Sequence, residues 1–123
     1  PEAEILTGIK INNLNDMKIA GEKIINLGAS YVVLKGGHLK TSILTDFLIG
    51  EEIIEQIETK KIETTNTHGT GCTMASALAA GLAKSLEIKE AFQKAHLYVN
   101  QAILTSPNFG NGHGPTNHCF NIN

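Results

Sequence analysis

The run of this sequence best suited to chemistry is a glycine-containing loop, residues 67–73, that leads into a predicted helix of small residues. Gly69 and Gly71 let the backbone bend tightly and approach a ligand closely. The unpaired amides of the first helical turn favour negative charge beside them. Cys72 stands at the head of this helix, where the same amides favour its thiolate, so it is a candidate proton acceptor or nucleophile. The sequence therefore predicts an anion site here.

A plainer interpretation is a tight turn in which the two glycines only bend the chain and Cys72 is a small buried cap. An isolated Gly-x-Gly is a weak signal. The surroundings favour the anion site, because a helix of small residues can lie close to a sheet or a ligand. The turn also carries more polar side chains than a plain connection needs: Asn66, Thr67, His68, Thr70 and Thr73.

Two familiar phosphate-binding motifs do not fit this loop. A P-loop requires Lys and then Ser or Thr directly after its last glycine, where Cys72 and Thr73 stand. The dinucleotide fingerprint requires Gly or Ala three residues after its second glycine, where Met74 stands. The loop therefore belongs to another type.

The loop resembles the signature near the C-terminus of ribokinase-like kinases, in which a Gly-Ala-Gly-Asp type loop opens a helix and its Asp is the catalytic base. Within that superfamily it is similar to the hydroxymethylpyrimidine/phosphomethylpyrimidine kinases, whose loop reads Thr-His-Gly-Thr-Gly-Cys-Thr. Other segments match this family in the same order: residues 1–8 its Asn-x-x-Glu segment, residues 35–38 its Lys-Gly-Gly-His, and residues 112–118 its Gly-x-Gly-Pro-x-x-His. The resemblance extends over essentially the whole chain.

The resemblance implies an α/β fold, specifically the C-terminal half of a ribokinase-like (Rossmann-like) three-layer α/β/α domain. Residues 1–123 are then the C-terminal portion of a single kinase domain whose N-terminal half is absent. The chain begins in the middle of the Asn-x-x-Glu motif, which predicts a fragment, a split gene product or a truncated chain. Its length allows one buried core. The fragment by itself is expected to be inactive.

The activity that the resemblance implies is phosphoryl transfer from ATP, with Mg²⁺, to 4-amino-5-hydroxymethyl-2-methylpyrimidine and its monophosphate in thiamine diphosphate biosynthesis. A pyridoxal-type kinase of the same superfamily is the alternative enzyme, since it shares such loops. A remnant that binds nucleotide weakly or not at all is the alternative without activity. The expected partner is the small-molecule substrate, and the full-length protein is expected to be a homodimer.

The roles expected in the glycine loop follow from phosphoryl transfer, which depends on positioning and charge neutralisation. Gly69, Thr70, Gly71 and Cys72 would present backbone amides to the γ-phosphoryl group as its negative charge shifts. Cys72 would also accept the proton of the substrate hydroxyl. Family likeness alone identifies the acceptor, because pyrimidine recognition in this family lies mainly in the N-terminal half.

Lys35 follows a predicted buried strand and precedes a glycine pair, so it stands where ligands bind in α/β folds. Taken alone it is equally well a solvated strand end. With the family match it is expected to contact nucleotide phosphate, as are Gly36 and Thr67. Glu2 corresponds to the Glu of Asn-x-x-Glu and is expected to organise magnesium and phosphate. The alternative for Glu2 is a surface charge in the first turn of a helix, where acids are favourable.

Bulk properties exclude several classes of protein. The formal net charge of −2 gives no basic surface for nucleic acid. No run is long and apolar enough to cross a membrane, and no secretory signal is present. The two cysteines form no CxxC pair, which predicts a reducing cytoplasm rather than a disulfide framework.

Other polar residues are predicted to be structural. His113, His118 and Cys119, with Cys72, suggest a zinc site, but their spacing is looser than zinc ligands usually show. No metal site is therefore predicted. His96 is expected to be a partly buried, hydrogen-bonded helix residue. Asp46 and the Glu51–Glu52 pair are expected to be turn charges.

Hydrophobic periodicity predicts alternating helices and strands. Residues 51–63 fit strands or a short helix equally well, and strands are favoured by the resemblance. The chain after Pro107 is predicted to be loop. The elements expected are a helix capped by Asn15 and ending at Gly28, a strand of the buried parallel type at 31–35, a strand at 42–49, and helices at about 72–85 and 89–105.

Overall fold

The computed structural model describes residues 1–122. The chain divides into two compact units, one from Pro1 to Lys61 and one that begins at Ile62. No helix among residues 1–122 has the length and apolarity that crossing a membrane requires. The elements in chain order are α1 Glu2–Thr7, α2 Leu14–Asn26, β1 Tyr31–Leu34, β2 Ile43–Gly50, β3 Ile54–Lys60, α3 Thr70–Ala83 and α4 Ile88–Leu104.

The first unit is built on a three-stranded sheet in the order β1-β2-β3. The amphipathic helix α2 covers β1 and β2. The core between them holds Met17, Leu34, Phe47 and Ile49, all nearly inaccessible to solvent. Gly21 lets α2 lie close to the sheet, because a Cβ there would be 2.3 Å from the Ile49 Cδ1 atom. Apolar burial on one face of the sheet therefore positions β2 under α2.

The first strand was predicted to be of the parallel type, and this prediction is wrong for its pairing with β2. β1 pairs with β2 in the antiparallel direction, with Tyr31 opposite Gly50 and Leu34 opposite Phe47. β2 and β3 are antiparallel as well. β1 is also less buried than predicted, since Tyr31 is exposed and only Leu34 of this strand is buried. A short apolar run carries no information about the direction of the neighbouring strand, which is set by the rest of the chain.

The first helices also differ from the sequence expectations. The N-cap of α2 is Asn13 rather than Asn15, since its extended backbone lets its side chain accept the Asp16 N–H at 3.0 Å. The Asp16 carboxylate in turn accepts the Asn12 N–H at 2.9 Å, which completes a reciprocal cap. The short helix α1 was expected only in the alternative considered for Glu2, which does lie in its first turn.

The second unit is a pair of packed helices with a long C-terminal loop. α3 and α4 approach closely where Gly81 meets Ala91, since a Cβ on Gly81 would be 3.0 Å from the Ala91 Cβ. The buried positions of α4 are small or apolar apart from His96. Gly81 therefore serves helix packing, whereas most of the other small residues of α3 are exposed.

The remaining predicted elements are confirmed with small shifts of their ends. β2 and β3 occupy the two regions predicted as strands, and α4 begins and ends within one residue of its prediction. After Leu104, residues 105–122 contain no helix or strand, and an isolated bridge joins Pro115 to His68. α3 begins at Thr70, two residues earlier than predicted, because Gly69 rather than Cys72 caps it.

Candidate functional site

Gly69 determines where α3 begins. Its φ of 85° lies in the left-handed region, which costs a residue with a side chain more than it costs glycine. Its carbonyl accepts the Thr73 N–H at 2.9 Å and the Thr73 hydroxyl at 2.8 Å. No acidic residue occupies the first turn of α3. The turn therefore keeps its positive end without an internal counter-charge.

Two consecutive amides of this turn point away from the chain's own acceptors. The Thr70 N–H donates to the Thr67 carbonyl at 3.4 Å. For the Gly71 and Cys72 N–H groups, residues 1–122 provide no acceptor. Open space surrounds Gly71, where a Cβ would meet no atom within 4 Å, and Cys72 is exposed with a free thiol. Two amide donors and a thiol are thus available to a ligand.

The C-terminal loop braces the chain that leads into Gly69. Asn66 is buried, and its side-chain amide donates to the Ser106 hydroxyl at 3.1 Å and to the Asn108 side-chain oxygen. The His68 N–H donates to the Gly114 carbonyl at 3.3 Å. A Cβ on Gly114 would be 2.0 Å from the Asn66 Oδ1 atom. Gly114 therefore belongs to the support of the loop.

The first unit places Lys35 at the end of β1, where the chain turns sharply. Gly36 packs against the neighbouring strand so closely that a Cβ would be 2.2 Å from the Thr45 carbonyl oxygen. The Gly36 N–H donates to the Asp46 Oδ1 atom at 2.9 Å. From the side of β3, the Lys61 Nζ atom donates to the carbonyls of Gly37 and Leu39 at 3.0 and 3.1 Å. The turn that carries Lys35 is thus held from two directions.

Burial and two carboxylates act on the charge of Lys35 in opposite directions. Burial lowers the pKa of the half-buried Lys35 from its ordinary value, and the negative charges of Asp46 and Glu2 oppose that effect. A hydrogen bond from its own backbone amide holds the pKa of Glu2 below its usual range, with smaller contributions that include His38 and Lys35. Glu2 is fully exposed at the first position of α1. Glu2, Lys35 and His38 therefore lie within electrostatic reach of one another.

The expectation that Asp46 is a turn charge is wrong. Asp46 lies within β2 and is 2 % exposed. Glu51 and Glu52 do lie in the turn between β2 and β3, where both are exposed. The two residues that flank Asp46 in β2, Thr45 and Phe47, are both buried, so the strand is covered on both faces at this point, which only the folded chain shows.

The supporting roles of two further residues were not predicted from the sequence. Lys61 resembles any charged strand end, and Asn66 resembles any polar loop residue, because only the folded chain shows their partners. His96 fits its prediction, being buried with its Nε2 atom 2.8 Å from the Asn100 side-chain nitrogen.

The structure groups the predicted site residues by unit. Glu2, Lys35 and Gly36 belong to the first, and Thr67, Gly69, Thr70, Gly71 and Cys72 belong to the second. Thr67 is exposed next to the glycines and uses its carbonyl within the loop. Among residues 1–122, no three His, Cys, Asp or Glu side chains are arranged to hold a metal ion. His118 instead stacks on Tyr98, with ring centroids 6.3 Å apart.

Comparison with known proteins defines the class of this chain. The family model described as phosphomethylpyrimidine kinase matches residues 1–117, and the chain therefore belongs to that family. It is 45% identical over 119 residues to the hydroxymethylpyrimidine/phosphomethylpyrimidine kinase of Bacillus subtilis, covering 96% of this chain and 44% of that protein. It is 42% identical to a bifunctional thiamine biosynthesis protein of Geobacter sulfurreducens, covering 98% of this chain and 24% of that protein.

Solved structures agree on the fold. The Bacillus subtilis pyridoxal kinase in complex with ADP matches with a TM-score of 0.90 and 41% identity, over 96% of this chain and 45% of that one. The Staphylococcus aureus pyridoxal kinase in complex with AMP-PCP and pyridoxal matches with a TM-score of 0.91 and 34% identity, over 95% of this chain and 44% of that one. The fold is α/β and ribokinase-like, and the chain spans less than half the length of these relatives.

The two loop glycines should respond oppositely to alanine. Gly69→Ala should lower the free energy of unfolding by about 1–2 kcal/mol, because its φ is left-handed. Gly71→Ala should leave it unchanged or raise it by about 0.5–1 kcal/mol, since the site is helical and has room for a Cβ. Urea unfolding of the full-length protein measures both. Equal losses in the two variants would contradict the conformational assignment of Gly69.

Proposed function

We propose that this chain supplies ATP-phosphate contacts and the proton acceptor of a kinase that phosphorylates 4-amino-5-hydroxymethyl-2-methylpyrimidine and its monophosphate in thiamine diphosphate synthesis. The observation that carries the proposal is the start of α3, where two amides without acceptors among residues 1–122 adjoin the exposed Cys72 thiol. Family membership supports the reaction class. The names of the Bacillus and Geobacter relatives support the pathway.

The residues at the start of α3 fit a nucleotide phosphate. The Gly71 and Cys72 amides are oriented donors, the first turn holds no acid, and space is open beside Gly71. ATP, when bound, supplies the phosphoryl group that is transferred. The two amides would donate hydrogen bonds to its oxygens as negative charge shifts during transfer. The Cys72 Sγ atom would accept the proton of the acceptor hydroxyl.

The first unit contributes positive charge. The Lys35 ammonium would neutralise nucleotide phosphate, and the fixed turn at Gly36 limits where that charge can lie. Magnesium normally retains several waters and is held by substrate phosphates with one or two carboxylates. We propose that Glu2 orders the magnesium–phosphate group through that water shell. Thr67 contacts with phosphate, a homodimer and a cytoplasmic location remain predictions.

A pyridoxal kinase is the second candidate, because the Bacillus subtilis pyridoxal kinase is 41% identical with a TM-score of 0.90. Steady-state assays of the full-length protein with ATP separate the candidates. We expect hydroxymethylpyrimidine and its monophosphate to be phosphorylated with a higher kcat/KM than pyridoxal. A higher kcat/KM for pyridoxal would replace the first assignment with the second. Turnover of none of the three would identify a remnant without kinase activity.

Replacing Cys72 should remove the proton acceptor while keeping the loop. In the full-length protein, Cys72→Ala should lower kcat by roughly 10²–10⁴-fold, the contribution of a general base. Cys72→Asp should retain part of the activity, since a carboxylate can also accept a proton. Cys119→Ala is the matched control, because it removes the other exposed free cysteine. Full activity in Cys72→Ala would exclude Cys72 as the proton acceptor. Phosphate binding by the backbone amides would then be the remaining role of the loop.

The charge of Lys35 should give the reaction an alkaline limit. Burial lowers the pKa of Lys35, so it loses its proton at a lower pH than an ordinary lysine. Because only the ammonium form neutralises phosphate, kcat/KM for ATP should fall as pH rises through that pKa. Lys35→Arg should remove this decline, since arginine stays protonated, and Lys35→Ala should lower kcat/KM at every pH. Wild-type profiles in both variants would exclude Lys35 from the phosphate site.

A further inference from the structure

Asp46 is a buried carboxylate that the proposed reaction does not use. It lies in the middle of β2, and only 2 % of its surface is exposed. Its Oδ1 atom accepts the Gly36 N–H at 2.9 Å. Leu34, the last residue of β1, pairs with Phe47, so Lys35 leaves β1 beside the position of Asp46 on β2. Asp46 therefore adjoins both the proposed phosphate-binding lysine and the turn that follows it.

The hydrogen bond to Gly36 does not by itself account for a carboxylate at this position. A neutral Asn side chain could accept the same N–H at a much lower cost of burial. A charge in the interior is tolerated where an opposite charge compensates it. Lys35 provides that charge, and the two groups interact across neighbouring strands. The negative charge of Asp46, and not only its oxygen atom, therefore has a use in this structure.

We propose that Asp46 is a positioning residue for Lys35, whose carboxylate fixes the Gly36 turn and keeps the Lys35 ammonium charged and directed toward nucleotide phosphate. This inference rests on the proposed phosphate-binding role of Lys35. Asp46 would act through Lys35 and would not itself touch the nucleotide. The close approach of Gly36 to the Thr45 carbonyl makes the arrangement rigid, because the turn cannot move away from β2 without losing the Gly36–Asp46 hydrogen bond.

The charge of Lys35 depends on Asp46, Glu2 and burial, and the experiment must separate the effect of Asp46 from the other two. Asp46 on β2 and Glu2 on α1 both favour its protonated form, whereas burial favours the neutral form. His38, in the turn after β1, interacts with Glu2. Burial is the largest of these effects and lowers the pKa of Lys35, so the two carboxylates offset it only in part. Removing the Asp46 charge should therefore make Lys35 lose its proton at still lower pH.

Asp46→Asn removes this charge while retaining an acceptor for the Gly36 N–H. In the full-length protein, kcat/KM for ATP should fall roughly 2- to 150-fold at pH values near the alkaline limit, the range of coupling between interacting residues. The alkaline limit itself should move to lower pH. Glu52→Gln is the matched control, because it neutralises an exposed turn carboxylate. A purely structural Asp46 would change melting temperature or overall activity without moving the pH limit.

A double-mutant comparison distinguishes failure of this proposal from failure of the proposed function. Arginine keeps its charge without help from Asp46, so adding Asp46→Asn to Lys35→Arg should move no pH limit. If Lys35→Ala is defective but Asp46→Asn keeps the wild-type pH limit and KM, the role of Asp46 is wrong and that of Lys35 stands. If Lys35→Ala has wild-type kinetics, the assigned role of Lys35 in the proposed function fails.

A stability measurement covers the case in which Asp46→Asn does not fold. Lys35→Met keeps the length of the side chain but leaves the Asp46 carboxylate without the Lys35 charge. Its melting temperature should fall by about 2–4 °C more than that of Lys60→Met, an exposed control on β3. Equal melting temperatures for Lys35→Met and Lys60→Met would overturn the proposal.

Discussion

The close contact between Gly36 and the backbone of β2 is the constraint on which the geometry around Lys35 depends. A side chain at position 36 would collide with the Thr45 carbonyl oxygen, so only glycine lets the chain leave β1 along this path. The contact places the Gly36 amide against the buried Asp46 carboxylate. Lys61 then holds the carbonyl side of the same turn. A flexible lysine is in this way attached to a rigid backbone.

The glycines of the three motifs serve different physical purposes, although their sequence patterns look alike. Gly36 permits a close approach between two strands, and Gly69 permits a left-handed backbone. Gly71 leaves space beside an amide that has no acceptor among residues 1–122. Gly114 makes room for the buried Asn66 side chain, which connects the C-terminal loop to the start of the glycine loop. Glycine therefore leaves open space beside the amide at Gly71 and makes room for a supporting side chain at Gly114.

Local patterns predicted most elements, whereas partners distant in sequence decided the remainder. The spacing of apolar residues sufficed for α2 and α4. For β3 the pattern fitted a strand or a short helix equally well, and the resemblance favoured the strand, whose exposure alternates in the structure. The direction of β1 relative to β2 and the burial of Asp46 depend on how distant segments pack in the folded chain, so no local signal determined them. The glycine loop was located from sequence because its chemistry is local. The support that Asn66 gives to this loop, and the support that Lys61 gives to the turn after Lys35, were missed because their partners are far along the chain.

The start of α3 places the proposed proton acceptor and the proposed phosphate-binding amides in a single turn. The Gly71 and Cys72 amides and the Cys72 thiol belong to consecutive residues, so a rotation of this turn would move all three groups together. That rotation is resisted at Gly69, whose carbonyl accepts both the amide and the hydroxyl of Thr73. Thr73 is buried, which keeps water from competing for these bonds. The position of the thiol is therefore set by its backbone and by Thr73, and the exposed sulfur remains available for a proton.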